Sequence, residues 1–85
     1  MQTIMIDGSM YTGSKELHRA LKQMLSLPAF YGMNADALND CLGEKAETVN
    51  LWILRPGEEE TAVAVRRIAA VIRDNGGAVK ELERL

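Results

Sequence analysis

Only one cysteine, one histidine and two prolines occur among the 85 residues. With Cys41 alone, no intrachain disulfide can close. That excludes the disulfide framework of small secreted domains and points to a reducing, cytoplasmic setting. No apolar run approaches the roughly 20 residues needed to cross a bilayer. The opening MQTIMIDGSM has neither a basic start nor a long apolar stretch, so no signal peptide is expected there. Positive charge is not in surplus, because 10 Lys and Arg stand against 12 Asp and Glu. A nucleic-acid binder shows a basic surplus or stripe, so direct nucleic-acid binding is not expected. No Cys/His cluster has zinc-ligand spacing, and no phosphate-cradling glycine pattern follows a strand. Repeats, low-complexity tracts and linkers are absent, and the length predicts a single domain over residues 1–85. A chain this short buries about 60 to 65% of the surface it exposes unfolded, so the core is thin.

What is present reads as an α/β chain. TIMI (3–6), closed by Asp7-Gly8, is a short buried strand and turn. Ser14 is a candidate N-cap for a helix whose apolar face is Leu17, Ala20, Leu21, Met24 and Leu25. Pro28 ends that helix near Leu27. After an irregular AFYGM, Asn34 caps a second helix to about Leu42, with Leu38, Cys41 and Leu42 on one side. Gly43 is expected to close it in a left-handed conformation. TVNLWIL (48–54) is a second strand, ended by Arg55-Pro56-Gly57. Glu58, Glu59 and Glu60 favour a helix start. Ala62, Val65, Ile68, Ala69 and Ile72 line that third helix, which Asn75-Gly76-Gly77 stops. AVKELERL reads either as a charged edge strand or as a helical extension. The order β-α-α-β-α-β predicts a small three-stranded parallel sheet with about three helices, mainly on one face.

Single residues with chemical potential have plain structural readings. His18 is expected to be a partly exposed helix histidine, and Cys41 a small buried hydrophobe. Trp52 reads as a core aromatic. Met5, Met10, Met24 and Met33 read as gap-fillers, with Met33 the most exposed.

One stretch resists a plain reading. LPAFYGMNADALNDCLGE (27–44) carries Asp36, Asp40 and Glu44 and no Lys or Arg. Asp36 and Asp40 are four apart and share a helix face, with Leu38 and Leu42 on the far side. The macrodipole favours Asp36 in the first turn and opposes Asp40 nearer the C-terminus. Like charge at i,i+4 and the poor helix propensity of aspartate add to the cost at Asp40. Two carboxylates are too few ligands for a tight divalent-metal site. A solvated acidic face and a docking face for a basic partner remain the two readings.

The segment LPAFYGMNADALNDCL resembles the barstar family, intracellular inhibitors of barnase-type ribonucleases. The likeness runs through Leu27-Pro28, Phe30-Tyr31-Gly32, Asn34, Asp36-Ala37-Leu38 and Asp40-Cys41-Leu42. IDGSMYTGSKELHRALKQML and VIRD look like further parts of the family. The resemblance implies a barstar-like α/β fold and an inhibitor, not an enzyme, with no cofactor and no metal. The partner it implies is an extracellular-type ribonuclease or another toxin with a basic cleft. In the family the second helix and its preceding loop plug that cleft. Asp40 would then take the place of a phosphate, Asp36 would face the cleft edge and Phe30 would pack on the enzyme. Gly32, Asn34 and Gly43 would contact mainly through backbone, and Asp74 would add an acidic contact. Asn39 and Glu44 stand where the family carries aromatics, and the family's extra short helix after the second strand is missing from RPGEEE. A binding module or immunity protein for an unrelated basic partner is the alternative. Any use of Asp36 and Asp40 in metal-assisted catalysis is a third.

Overall fold

In a computed structural model the chain is described over residues 1–82. Strand β1 (Gln2–Asp7) leads through a single 3₁₀ turn (Gly8–Met10) into helix α1 (Ser14–Met24). Helix α2 (Ala35–Gly43), strand β2 (Val49–Arg55), helix α3 (Glu59–Asp74) and strand β3 (Val79–Glu81) follow. The three strands are parallel, in the spatial order β1-β2-β3. This is the α/β architecture the sequence predicts.

That strand order explains which face is covered. Right-handed crossovers that advance in one direction across a sheet deposit every helix on the same side. Ile4 and Ile6 of β1 and Val49, Leu51 and Ile53 of β2 therefore point into the helices. They form one core with Leu17, Leu21, Leu38, Leu42, Val65, Ile68 and Ile72. The opposite face stays open, and each strand alternates between the two. Trp52 is accordingly 41% exposed on the open face, beside Met5, with the Lys80 Nζ 5.9 Å from its ring centroid. The expectation of a core tryptophan is corrected by strand parity: Leu51 takes the inward position.

Cap chemistry sets the helix ends. At the start of α1 the N-cap is Gly13, one residue before the expected Ser14. The Glu16 carboxylate turns back to accept from the Thr12 amide at 2.9 Å. Both α1 and α3 finish in the same motif. Ser26 (φ 53°) and Gly76 (φ 88°) take the left-handed position. The next amides, of Leu27 and Gly77, return to the carbonyls of Lys22 and Ile72, each at 2.9 Å. Gly43 does not take the left-handed conformation expected of it. The α2 end tightens instead through i→i+3 bonds from Glu44 and Lys45 to Cys41 and Leu42.

The ambiguous tail resolves as an edge strand over Val79–Glu81. Its pairing begins where the Asn50 side chain accepts from the Ala78 amide at 2.9 Å. The rest of the tail, from residue 83, lies outside the described residues. At the carboxyl end of the sheet, Arg55 pairs with Asp7 at 2.9 Å. That guanidinium, with the Ser9 hydroxyl, holds the Asp7 carboxyl at about 2.

Candidate functional site

The acidic segment folds as a pinned loop followed by a short capped helix. Five hydrogen bonds hold the loop. Tyr31 N donates to Pro28 O at 3.0 Å, and Lys22 Nζ reaches Ala29 O at 3.3 Å. Asn34 Nδ2 donates to Gly32 O at 3.2 Å, and the Tyr31 hydroxyl to Asn34 O at 3.4 Å. The same hydroxyl lies 2.6 Å from His18 Nδ1. Tyr31 is turned inward and 5% exposed, while its neighbour Phe30 is turned outward and 86% exposed. An aromatic this exposed contributes little to folding; it is presented, not packed.

Asn34 caps α2 as its chemistry predicts: Oδ1 accepts from the Ala37 amide at 2.8 Å. Just before it, Met33 sits at φ 61°, a conformation that strains a residue with a side chain. Contact of the Met33 side chain with the core compensates. Met33 is thus not the exposed methionine expected; Met10, at 72%, is far more open.

Helix α2 buries Leu38 and Leu42 and exposes Asp36, Asn39, Asp40 and Gly43, with Glu44 exposed just beyond. Gly32 and Asn34 are also exposed, and so is Asp74 at the last turn of α3. Among the described residues the ion pairs are the Met1 ammonium with Glu47 and Arg55 with Asp7. Neither touches the α2 face, so Asp36 and Asp40 stand in solvent without an internal cation. Cys41 lies on the flank of α2. Burial pushes its thiol upward, and the neighbouring Glu44 and Asp40 charges add to this, so the reactive thiolate is suppressed.

Asn39 has a role that its position alone does not show. Its Oδ1 accepts from Asn75 Nδ2 at 2.8 Å, which joins α2 to the C-cap of α3, next to Asp74. The structure therefore brings the loop, the α2 carboxylates and the end of α3 to neighbouring positions.

A family model described as "Barstar (barnase inhibitor)" matches residues 1–85. The chain belongs to the barstar family. A relative from Bacillus subtilis (strain 168), named "Putative ribonuclease inhibitor YrdF", is 48% identical over 42 residues. That stretch covers 49% of this chain and 46% of the relative, about half the length of either.

The connection between β2 and α3 is short. Residues 56–58 alone connect them, with no helix between. A cleft of about 610 Å³ lies there, at the carboxyl ends of β1 and β2, lined by Tyr11, Arg55, Glu58 and Glu59 among others. It is remote in sequence from the acidic ridge, and a plug needs a projecting surface more than a cavity. No helix of the described residues is long and apolar enough to cross a membrane.

His18 was missed as a structural partner of the loop. It is 2% exposed rather than partly exposed, because position 18 follows Leu17 on the face that meets the 28–34 loop. The spacing of a lone histidine and a lone buried tyrosine carries no signal of their contact. Asn75 was also missed, having read only as part of a helix stop.

Proposed function

We propose that this protein inhibits a ribonuclease by seating α2 and the preceding loop in the enzyme's cationic cleft. The observation that carries the reading is the pair Asp36 and Asp40. Both are exposed and, among the described residues, without internal cations, on a helix whose other side is anchored by Leu38 and Leu42. A ribonuclease must hold an anionic backbone, so its cleft is positive. Carboxylates at i and i+4, about 5 to 6 Å apart at Cβ, form a short row of negative charge that stands in for phosphates. Opposite fields also accelerate encounter, an effect for which the barstar–barnase pair is itself a reference case.

In this reading Asp40 enters the phosphate position and Asp36 faces the cleft rim. Phe30 packs against the enzyme, and Glu44 and Asp74 extend the acidic edge. Asn39 borders the contact face, with its side chain turned to Asn75, and Gly32, Asn34 and Gly43 let backbone approach closely. The local cost of Asp40 fits a residue retained for binding. The protein acts by occupying a cleft, in the cytoplasm of the producing cell, without turnover or cofactor. His18 is committed to Tyr31, and the Cys41 thiol is held protonated.

Titration against the activity of a barnase-type ribonuclease at low and high salt tests the proposal. Stoichiometric 1:1 inhibition that weakens steeply with salt, and a large loss of affinity in Asp40→Ala, is the expected result. Equal affinity of Asp40→Ala and the unaltered protein would remove Asp40 from the interface.

A further inference from the structure

We propose that Asn39 and Asn75 are positioning residues whose hydrogen bond locks the acidic face of α2 to the Asp74 end of α3 as one rigid surface. This rests on the ribonuclease reading for its purpose, though the lock itself is a statement about the free protein.

The Asn75 amide nitrogen carries two hydrogens. One goes to Val71 O at 2.9 Å, within its own helix, and the other to Asn39 Oδ1 at 2.8 Å. Its donor capacity is therefore divided between α3 and α2. The α3 side of this bond is fixed. The Asn75 backbone amide bonds Val71 O and Ile72 O, and the Gly76-Gly77 turn closes the helix behind it. Gly77 in turn lies against the Val49 carbonyl of the sheet and the Ile72 side chain. Asn75 is thus a stationary post to which α2 is tied.

The α2 side needs such a tie. The helix has nine residues, about 13 Å, and buries two of them, Leu38 and Leu42. Ala37 and Cys41 pack half-buried against the core beside them, so the apolar stripe is two residues wide. A stripe this narrow holds a helix down but resists its roll only in part. The N-terminal half has a second constraint in the Asn34 cap and the pinned loop. Asp40 is in the other half, where the bond from Asn39 supplies the second constraint. A roll of about 20° would swing a group about 5 Å from the axis by about 2 Å, enough to break a carboxylate's fit to a fixed cation.

Both partners are uncharged. Removing the bond leaves the protein's field, and hence steered encounter, as it was. The loss should appear in dissociation.

Asn39→Ala, Asn75→Ala and the double variant are compared in two measurements. The first is association and dissociation with barnase at two salt concentrations. Each single variant should raise the off-rate about tenfold, the double no further, with on-rate and its salt slope unchanged. The second is amide hydrogen exchange in the free protein. Protection should fall at residues 39–43 in both single variants and be kept in the β2 strand. An off-rate raised by Asn39→Ala but not by Asn75→Ala would make Asn39 a direct contact and overturn the lock. Unchanged exchange in α2 would overturn it as well. If the unaltered protein does not bind the enzyme, the ribonuclease reading fails, and exchange still decides the lock.

Discussion

His18 Nδ1 lies 2.6 Å from the Tyr31 hydroxyl, joining the middle of α1 to the loop that presents Phe30. Burial disfavours the imidazolium and lowers the His18 pKa. The unfolded chain therefore binds the proton more readily, so this contribution to stability is full above about pH 6.5 and is lost as pH falls below it. Glu60 and Arg67, one charge of each sign, line the small cavity beside the ring. Urea unfolding at pH 7.5 and pH 5.5 should show lower stability at the acid value. Tyr31→Phe leaves a buried ring nitrogen without its partner and should cost roughly 1–3 kcal/mol in the same measurement at neutral pH.

Trp52 is the sole tryptophan and lies on the open sheet face. Its fluorescence in the folded protein should be quenched readily by acrylamide, unlike that of a core indole. Trp52→Thr should cost less than about 1 kcal/mol, whereas Leu51→Ala, one position along the same strand, should cost roughly 2–5 kcal/mol. Comparable losses at the two positions would contradict the assigned parity.

Gly76 and Gly77 are adjacent and needed for different reasons. Gly76 has open space around it but a φ of 88°. Alanine there should cost about 1 kcal/mol through backbone strain alone. A Cβ on Gly77 would collide with the Val49 backbone and the Ile72 side chain. Gly77→Ala should therefore cost roughly 1–3 kcal/mol or more, and the larger loss of the pair. Denaturant midpoints of the two variants give the order directly.

Asp40 sits in the C-terminal half of α2 and one turn from Asp36. Asp40→Asn removes both the dipole conflict and the like-charge pair, and should leave the unfolding free energy unchanged or raised by a few tenths of a kcal/mol in a denaturant titration. It also removes one of the charges that raise the Cys41 pKa. The rate of Cys41 alkylation at pH 8 should increase, and an unchanged rate would show that Asp40 does not act on the thiol.

Much of the fold was legible because its signals are local. Helical spacing from Leu17 to Leu25, the Asn34 cap and the Gly76-Gly77 stop each act within a few residues of chain. The carboxylate pair was legible for the same reason, since four residues make one helical turn. Strand β2 was legible as a strand, but which of its residues face inward was not, because Leu51, Trp52, Ile53 and Leu54 are all apolar and show no alternation. Ser14 reads as the cap from its side chain alone, yet Gly13 holds the N-cap position and the Glu16 carboxylate takes the Thr12 amide as its partner. Met33 was read from its loop position, yet the left-handed turn before Asn34 directs its side chain inward.

The sequence by itself determined the order of elements, the helix that carries Asp36 and Asp40, and the motif shared with the barstar family. Periodicity and capping are short-range effects, and they survive without knowledge of what packs on what. Only tertiary structure decided that Trp52 stays outside and His18 goes in, and that Asn39 bonds Asn75 at the end of α3. These outcomes depend on contacts between distant parts of the chain. They follow from one arrangement, three parallel strands in consecutive order, which sends every crossover to the same face and leaves the other open.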